Sequence, residues 1–183
     1  MEVESVYCGC YPRWVFERIG MFNEQMIRIE DREFNARLRA AGGKILLDPS
    51  LTCTYHPRTQ LFSYVKWTFS GPFRLFYSRR LTTARLLHLR NYVPLGFVVY
   101  HLTLPALLLK TEWWPLSPLA LYTLLALGAS VTEARLHRRA TLILPLITLF
   151  YITHLIYGLG SLWGLLRSLL PLPPPPPEGK FSH

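Results

Sequence analysis

From Tyr92 onward the sequence is a succession of apolar runs separated by short charged breaks. The runs cover residues 92–109, 115–131 and 140–166. Lys110, Thr111 and Glu112 form the first break and Glu133 to Arg139 the second. A helix needs about 17–25 mostly apolar residues to cross the hydrocarbon layer of a bilayer. Three such runs in succession leave no polar face to meet water, so the pattern predicts three transmembrane helices and not a soluble bundle. Trp113 and Trp114, beside the first break, have the composition of an interfacial anchor.

Before Asn91 the pattern is that of a small mixed domain. Pro12 suits a first helical turn and Gly20 a stop, so a short helix is predicted over 12–19. A second helix is predicted over 30–41. Its apolar face carries Phe34, Leu38 and Ala41, its first turn is acidic, and Gly42-Gly43 closes it. Glu33 and Arg37 are spaced as an i,i+4 ion pair. Short strands are predicted over 44–47 and 51–55, joined by a turn at Asp48-Pro49. Residues 59–80 interleave aromatic and aliphatic side chains with Lys66, Arg74, Arg79 and Arg80. That reads as an amphipathic helix lying in the membrane interface, broken at Gly71-Pro72. Such interleaving also serves nucleic-acid binding, but the adjoining spans favour membrane lipids as the partner and no nucleic acid is expected. The resulting division is a globular part over 1–58, an interfacial segment over 59–90, spans over 91–170 and a Pro-rich tail over 171–183. The tail includes five consecutive prolines, Pro173 to Pro177, and is expected to be a stiff polyproline II segment.

Composition sharpens this picture. Only 17% of residues are charged while 50% are hydrophobic, and the net charge is +9. Soluble domains carry about 25% charge. The three cysteines are too few for a disulfide scaffold. Cys8-Gly9-Cys10 does not have zinc-ligand spacing, and no metal site is expected in this chain. Lys/Arg bias puts residues 1–90 and the Arg135–Arg139 loop in the cytoplasm, with the end of the third span on the opposite side. His101 and His154 fall within spans and read as neutral groups bonded to Tyr, Thr or backbone oxygen, because no acidic residue shares their depth.

The candidate chemistry sits on Glu30-Asp31. Arg28, Arg32 and the helix N-terminus favour an ionised carboxylate at position 31, and such a group accepts a proton from a sugar hydroxyl as that hydroxyl attacks. An acidic first turn also serves simply to complement the helix dipole.

The surrounding residues decide between these readings. They are Gly9-Cys10-Tyr11-Pro12-Arg13, Val15-Phe16-Glu17, Ile19-Gly20-Met21-Phe22-Asn23-Glu24, then Glu30-Asp31-Arg32-Glu33-Phe34-Asn35-Ala36-Arg37-Leu38-Arg39. Ala41-Gly42-Gly43-Lys44-Ile45, Asp48-Pro49-Ser50-Leu51 and Tyr55-His56-Pro57-Arg58 follow. Residues 3 to about 77 resemble the acceptor-side half of family 2 glycosyltransferases with a GT-A-type catalytic domain. The membrane-anchored, exopolysaccharide (succinoglycan-biosynthesis-like) enzymes are the most similar group. The trailing spans and the segment from His154 to Gly160 are similar to that group too. Asn23 stands where the family usually has Asp, and Arg32 where an acidic residue is common.

The resemblance implies an α/β fragment of a GT-A domain, followed by the interfacial helix and the spans. It also implies a transferase at the inner membrane that moves a sugar, with inversion, from a nucleotide-sugar to a polysaccharide or lipid-linked acceptor. Asp31 would be the general base and Glu30 its support. Gly9 and Cys10 would border the acceptor, and Arg74 would reach donor pyrophosphate or a lipid phosphate. The donor-binding half, with its D-x-D motif and a divalent cation (Mg or Mn), is expected to precede residue 1. Asp31 and Asp48 are the only aspartates and no D-x-D occurs in this sequence. The expectation is therefore a C-terminal portion from a truncated, split or misassigned gene, inactive until a companion polypeptide supplies the missing half. The alternative is a non-catalytic membrane remnant or adaptor. With sheet edges left open, residues 1–58 are expected to be protease-sensitive.

Overall fold

The computed structural model describes residues 1–6, 8–110 and 112–171. The protein is mostly helical. In chain order the elements are β1 (Glu2–Val3), α1 (Arg13–Ile19), α2 (Glu30–Ala40), β2 (Ile45–Leu46), α3 (Leu61–Tyr77), α4 (Leu89–Leu108), α5 (Ser117–Leu136) and α6 (Ile143–Leu169). Short 3-10 turns precede α5 and α6 and follow α3. The polyproline prediction falls outside the described residues.

α1 and α2 start and stop within a residue of the predicted bounds. The N–H of Gly20 caps α1 on the Phe16 carbonyl at 2.9 Å. α2 ends in a Schellman arrangement. Gly43 N–H bonds the Leu38 carbonyl at 2.9 Å and Gly42 N–H the Arg39 carbonyl at 3.0 Å. Gly42 takes φ +83°, the left-handed conformation that favours glycine.

The expected α/β character reduces, among the described residues, to a single two-stranded antiparallel ladder. Glu2 faces Leu46 and Val3 faces Ile45. Residues 51–55 form no strand and are exposed. One edge of β2 is taken by β1, and the Met1 ammonium adds a bond to the Leu47 carbonyl at 3.1 Å. The 51–55 segment has the alternation of a strand but pairs with no other strand among the described residues.

Two apolar clusters hold the N-terminal part together. Val15, Phe34, Leu38 and Ile45 pack α1, α2 and β2 on one another. Met26, Ile29, Leu75 and Leu86 join the loop before α2 to α3 and to the connection before α4. The second cluster ties the globular part to the helical one.

Three helices are long and apolar enough to cross a membrane, over 89–108, 114–136 and 140–169. Their side chains mostly face outward. Leu102, Leu121, Leu124, Leu125 and Leu144 are all more than half exposed, as expected where lipid is the solvent.

α3 departs from expectation twice. It runs unbroken through Gly71-Pro72, and it does not lie apart from the spans. It packs along α6, parallel to it, at a near-constant offset. Tyr64 meets Thr153, 89 positions on, at 2.6 Å. Arg80, past its end, donates to the Leu170 carbonyl, 90 positions on, at 2.7 Å. Between them Gly160 and Gly164 let the backbones touch: a Cβ at either would stand 2.3 Å from the carbonyl oxygen of Phe69 or Phe73. Small residues at four-residue spacing are what close helix packing requires in a membrane. This contact also brings residue 80 and the end of α6 together. The sequence expectation had put them on opposite sides.

Candidate functional site

The acidic first turn of α2 divides into carboxylates with opposite surroundings. Glu30 and Asp31 are exposed, whereas Glu33 is only 2% exposed. Glu33 accepts Arg37 Nε on both oxygens, at 2.8 and 3.0 Å, and the Thr82 hydroxyl at 3.1 Å. Arg37 in turn donates to the carbonyls of Ile19 and Met21. Glu33 is thus a tie between α2, the loop after α1 and the connection after α3. Asp31 has no such duty: its side chain accepts the backbone N–H of the adjacent Arg32, at 2.7 Å.

Beside Asp31 stands Tyr11. Its hydroxyl donates to Asn35 Oδ1 at 2.7 Å, and the Asn35 amide, fully buried, donates to Ser5 Oγ at 2.9 Å. Tyr11 packs edge-on against Phe34, with ring centroids 4.9 Å apart. Burial raises the Tyr11 pKa above the usual phenol value. The Asn35 bond offsets part of that rise, and the negative charge of Asp31 adds to it. Asn35 lies four residues after Asp31, one turn along the same helix face.

Gly9 and Cys10 line an open cavity of about 540 Å³ that also takes in Tyr11, Trp14, Asp48 and Cys53. Tyr11 is therefore the wall shared between that cavity and the Asp31 face. Arg74 does not line it. Its side chain is buried in α3, over the Phe73 ring at 5.8 Å, instead of presenting a cation to solvent. Of the sequence-derived residues, the structure puts Gly9 and Cys10 in the cavity that Tyr11 lines, brings the charge of Asp31 to bear on Tyr11, leaves Glu30 exposed at the start of α2 and sets Arg74 in the α3 packing. The sequence reading missed Tyr11 and Asn35, although the i,i+4 spacing from Asp31 to Asn35 was there to be seen.

A second cavity, about 300 Å³, separates the start of α2 from α3. Arg28 and Arg32 form one side, and Tyr64, Trp67 and Thr68 the other. Arg28 takes φ +71°, rare for a residue with a side chain, and its guanidinium bonds Ser70 on α3. The buried Thr68 hydroxyl has no hydrogen-bond partner.

No group of three His, Cys, Asp or Glu stands together among the described residues. Cys8, Cys10 and Cys53 are free and exposed. Within the spans, His154 Nδ1 lies 2.9 Å from the Phe150 carbonyl and 3.0 Å from the Tyr122 hydroxyl. His101 Nδ1 lies 2.8 Å from the Phe97 carbonyl. Both histidines have the Tyr or backbone-oxygen partners expected of them.

Comparison with protein-family models, with curated proteins and with solved structures finds no match.

Proposed function

We propose that this chain is the acceptor-side and membrane part of a family 2 inverting glycosyltransferase at the inner membrane. In this reading Asp31 is the general base. It takes the proton from an acceptor hydroxyl while that oxygen bonds to the anomeric carbon of a nucleotide-sugar. The bond from that carbon to the nucleoside diphosphate breaks on the opposite face, so the configuration inverts. Glu30 adds negative charge beside Asp31, and Tyr11, held by Asn35, borders the acceptor. The donor and its divalent cation belong to a donor-binding half supplied by a further segment or a companion polypeptide.

One observation carries the reading. Within a single acidic turn the structural work falls to Glu33, and Asp31 is left exposed to meet a substrate. A helix that needed only dipole compensation would gain as much from the buried Glu33. Arg28, Trp67 and Tyr64 beside α3 add the aromatic and cationic wall that a glycan or its lipid carrier would contact.

The test is allelic exchange at the native locus, followed by membrane incorporation of radiolabelled sugar from UDP-glucose, UDP-galactose and GDP-mannose. Asp31→Asn should lower incorporation by about 10²-fold or more, the usual contribution of a general base. Glu30→Gln should lower it less. Full incorporation by Asp31→Asn, at unchanged protein level, would reject the reading and leave a non-catalytic membrane protein.

A further inference from the structure

Independently of that activity, we propose that a third cavity is a binding site for a phosphate-bearing anion, a diphosphate or the headgroup of an anionic lipid. The cavity, about 520 Å³, lies where the globular part meets the start of α4. Arg32, Arg39, Arg85 and Arg90 line it, with His88 and a single carboxylate, Glu4.

The cations come from three places in the chain. Arg32 and Arg39 are seven residues apart on α2, two turns along one face. Arg85 belongs to the connection after α3, and Arg90 to the first turn of α4. Folding has converged them; sequence proximity accounts only for the last two. Glu4 serves one edge alone: its Oε2 lies 3.3 Å from Arg90 Nη2 and 3.5 Å from His88 Nε2. On the other edge, the Arg39 Nε is buried and has no hydrogen-bond partner. A buried guanidinium N–H left unpaired is costly. Like charges gathered in a concave site also raise the local concentration of anions.

The paired N–H groups of a guanidinium fork across two oxygens of a phosphate, and four guanidiniums set against one carboxylate favour an anion that carries more than one charge. The first turn of α4 places the cavity at the mouth of a membrane-spanning helix, where both sources of the group are within reach. Lipid headgroups stand at that depth, and a soluble diphosphate arrives from the aqueous side.

The experiment uses the full chain in nanodiscs of phosphatidylcholine, titrated calorimetrically with inorganic pyrophosphate. Saturable binding that weakens with salt is expected. Arg85→Gln and Arg39→Gln should each weaken it about tenfold, the loss of one charge-assisted bond. Arg13→Gln, which removes the same charge from the exposed face of α1, should leave it unchanged. Arg85 is exposed, so its substitution does not endanger folding, and circular dichroism checks the Arg39 variant. Nanodiscs containing phosphatidic acid separate the sources. If that lipid displaces pyrophosphate, the headgroup is the occupant; if pyrophosphate binds undiminished, a soluble diphosphate is. Absence of binding, or equal weakening by Arg13→Gln, would overturn the proposal.

Discussion

Replacing Glu33 by Ala should loosen the globular part far more than any change at Asp31. The carboxylate is 2% exposed and holds Arg37 Nε at 2.8 Å, while Thr82 donates to it from the other side. Removing one partner of a buried pair costs about 3–5 kcal/mol. The Arg37 side chain keeps 27% exposure, so water recovers part of the loss and the lower figure, about 3 kcal/mol, applies. That raises the locally opened population on the order of a hundredfold. Limited proteolysis of the full chain in detergent micelles reads this population, with cuts expected near residues 19–23, where Arg37 no longer holds the Ile19 and Met21 carbonyls. Asp31→Asn changes an exposed residue and should stay within about 0.5 kcal/mol of the parent. Replacing Glu33 and Arg37 together by Leu should restore part of the protection, because no uncompensated charge is left buried. Equal protease sensitivity in Asp31→Asn and Glu33→Ala would refute the division of labour between the two carboxylates.

Gly160→Leu should separate α3 from α6, since even a Cβ there stands 2.3 Å from the Phe69 carbonyl oxygen and overpacking costs about 1–3 kcal/mol. A short bis-maleimide should bridge Tyr64→Cys and Thr153→Cys in the parent and lose that bridge in the Gly160 variant. Arg79→Cys and Leu170→Cys, in a chain with Cys8, Cys10 and Cys53 replaced by Ser, should label with an impermeant maleimide from the same side of the membrane. Labelling from opposite sides would mean that the Arg80–Leu170 contact is not made. Tyr11 has a raised folded pKa, so the folded state keeps its phenol proton longer than the unfolded chain does. Its contribution is whole below the unfolded value near 10 and is lost as pH rises through the folded value. Tyr11→Phe should therefore flatten the alkaline fall in stability. It should also cost about 1–3 kcal/mol at neutral pH by stranding the buried Asn35 oxygen.

What the sequence disclosed and what it hid follow from the range of the interactions involved. The three spans are legible because solvation by lipid acts on each residue separately. The α2 stop is legible because Gly42 and Gly43 act within one turn. The 51–55 strand misled because alternation specifies a strand only where an edge waits for it, and the two residues that occupy the β2 edge, Glu2 and Val3, are too short and polar a run to register as a strand. Pro72 misled in a similar way. It removes a backbone bond, yet packing of the flanking Phe69 and Phe73 backbones on Gly160 and Gly164 sustains the helix. The small residues at 160 and 164 were visible, but their partners, Phe69 and Phe73, lay some ninety positions upstream. Asp31 was legible as a candidate, whereas its release from structural duty was not, because that depends on Glu33 meeting Thr82, 49 positions away.

The same long-range contacts connect the carboxylate to the longest apolar helix, α6. Ile29, immediately before α2, packs with Leu75 of α3. Leu75 is two residues past Phe73, whose backbone rests on Gly164 of α6. The start of α2 is thus held to a helix long and apolar enough to cross a membrane through close-packed contacts, which transmit small displacements because packed interiors deform little. A substitution deep in that series acts on Asp31 without touching it. Leu75→Ala opens a cavity worth about 2–5 kcal/mol at the joint and should leave the Glu33–Arg37 tie and the α1–α2 core intact. If Asp31 works on an acceptor presented at the membrane, sugar incorporation should fall in this variant while protease resistance of residues 1–45 persists. If transfer were independent of the helical part, incorporation would hold at the parent level, and the cluster joining the two parts would be a tether alone.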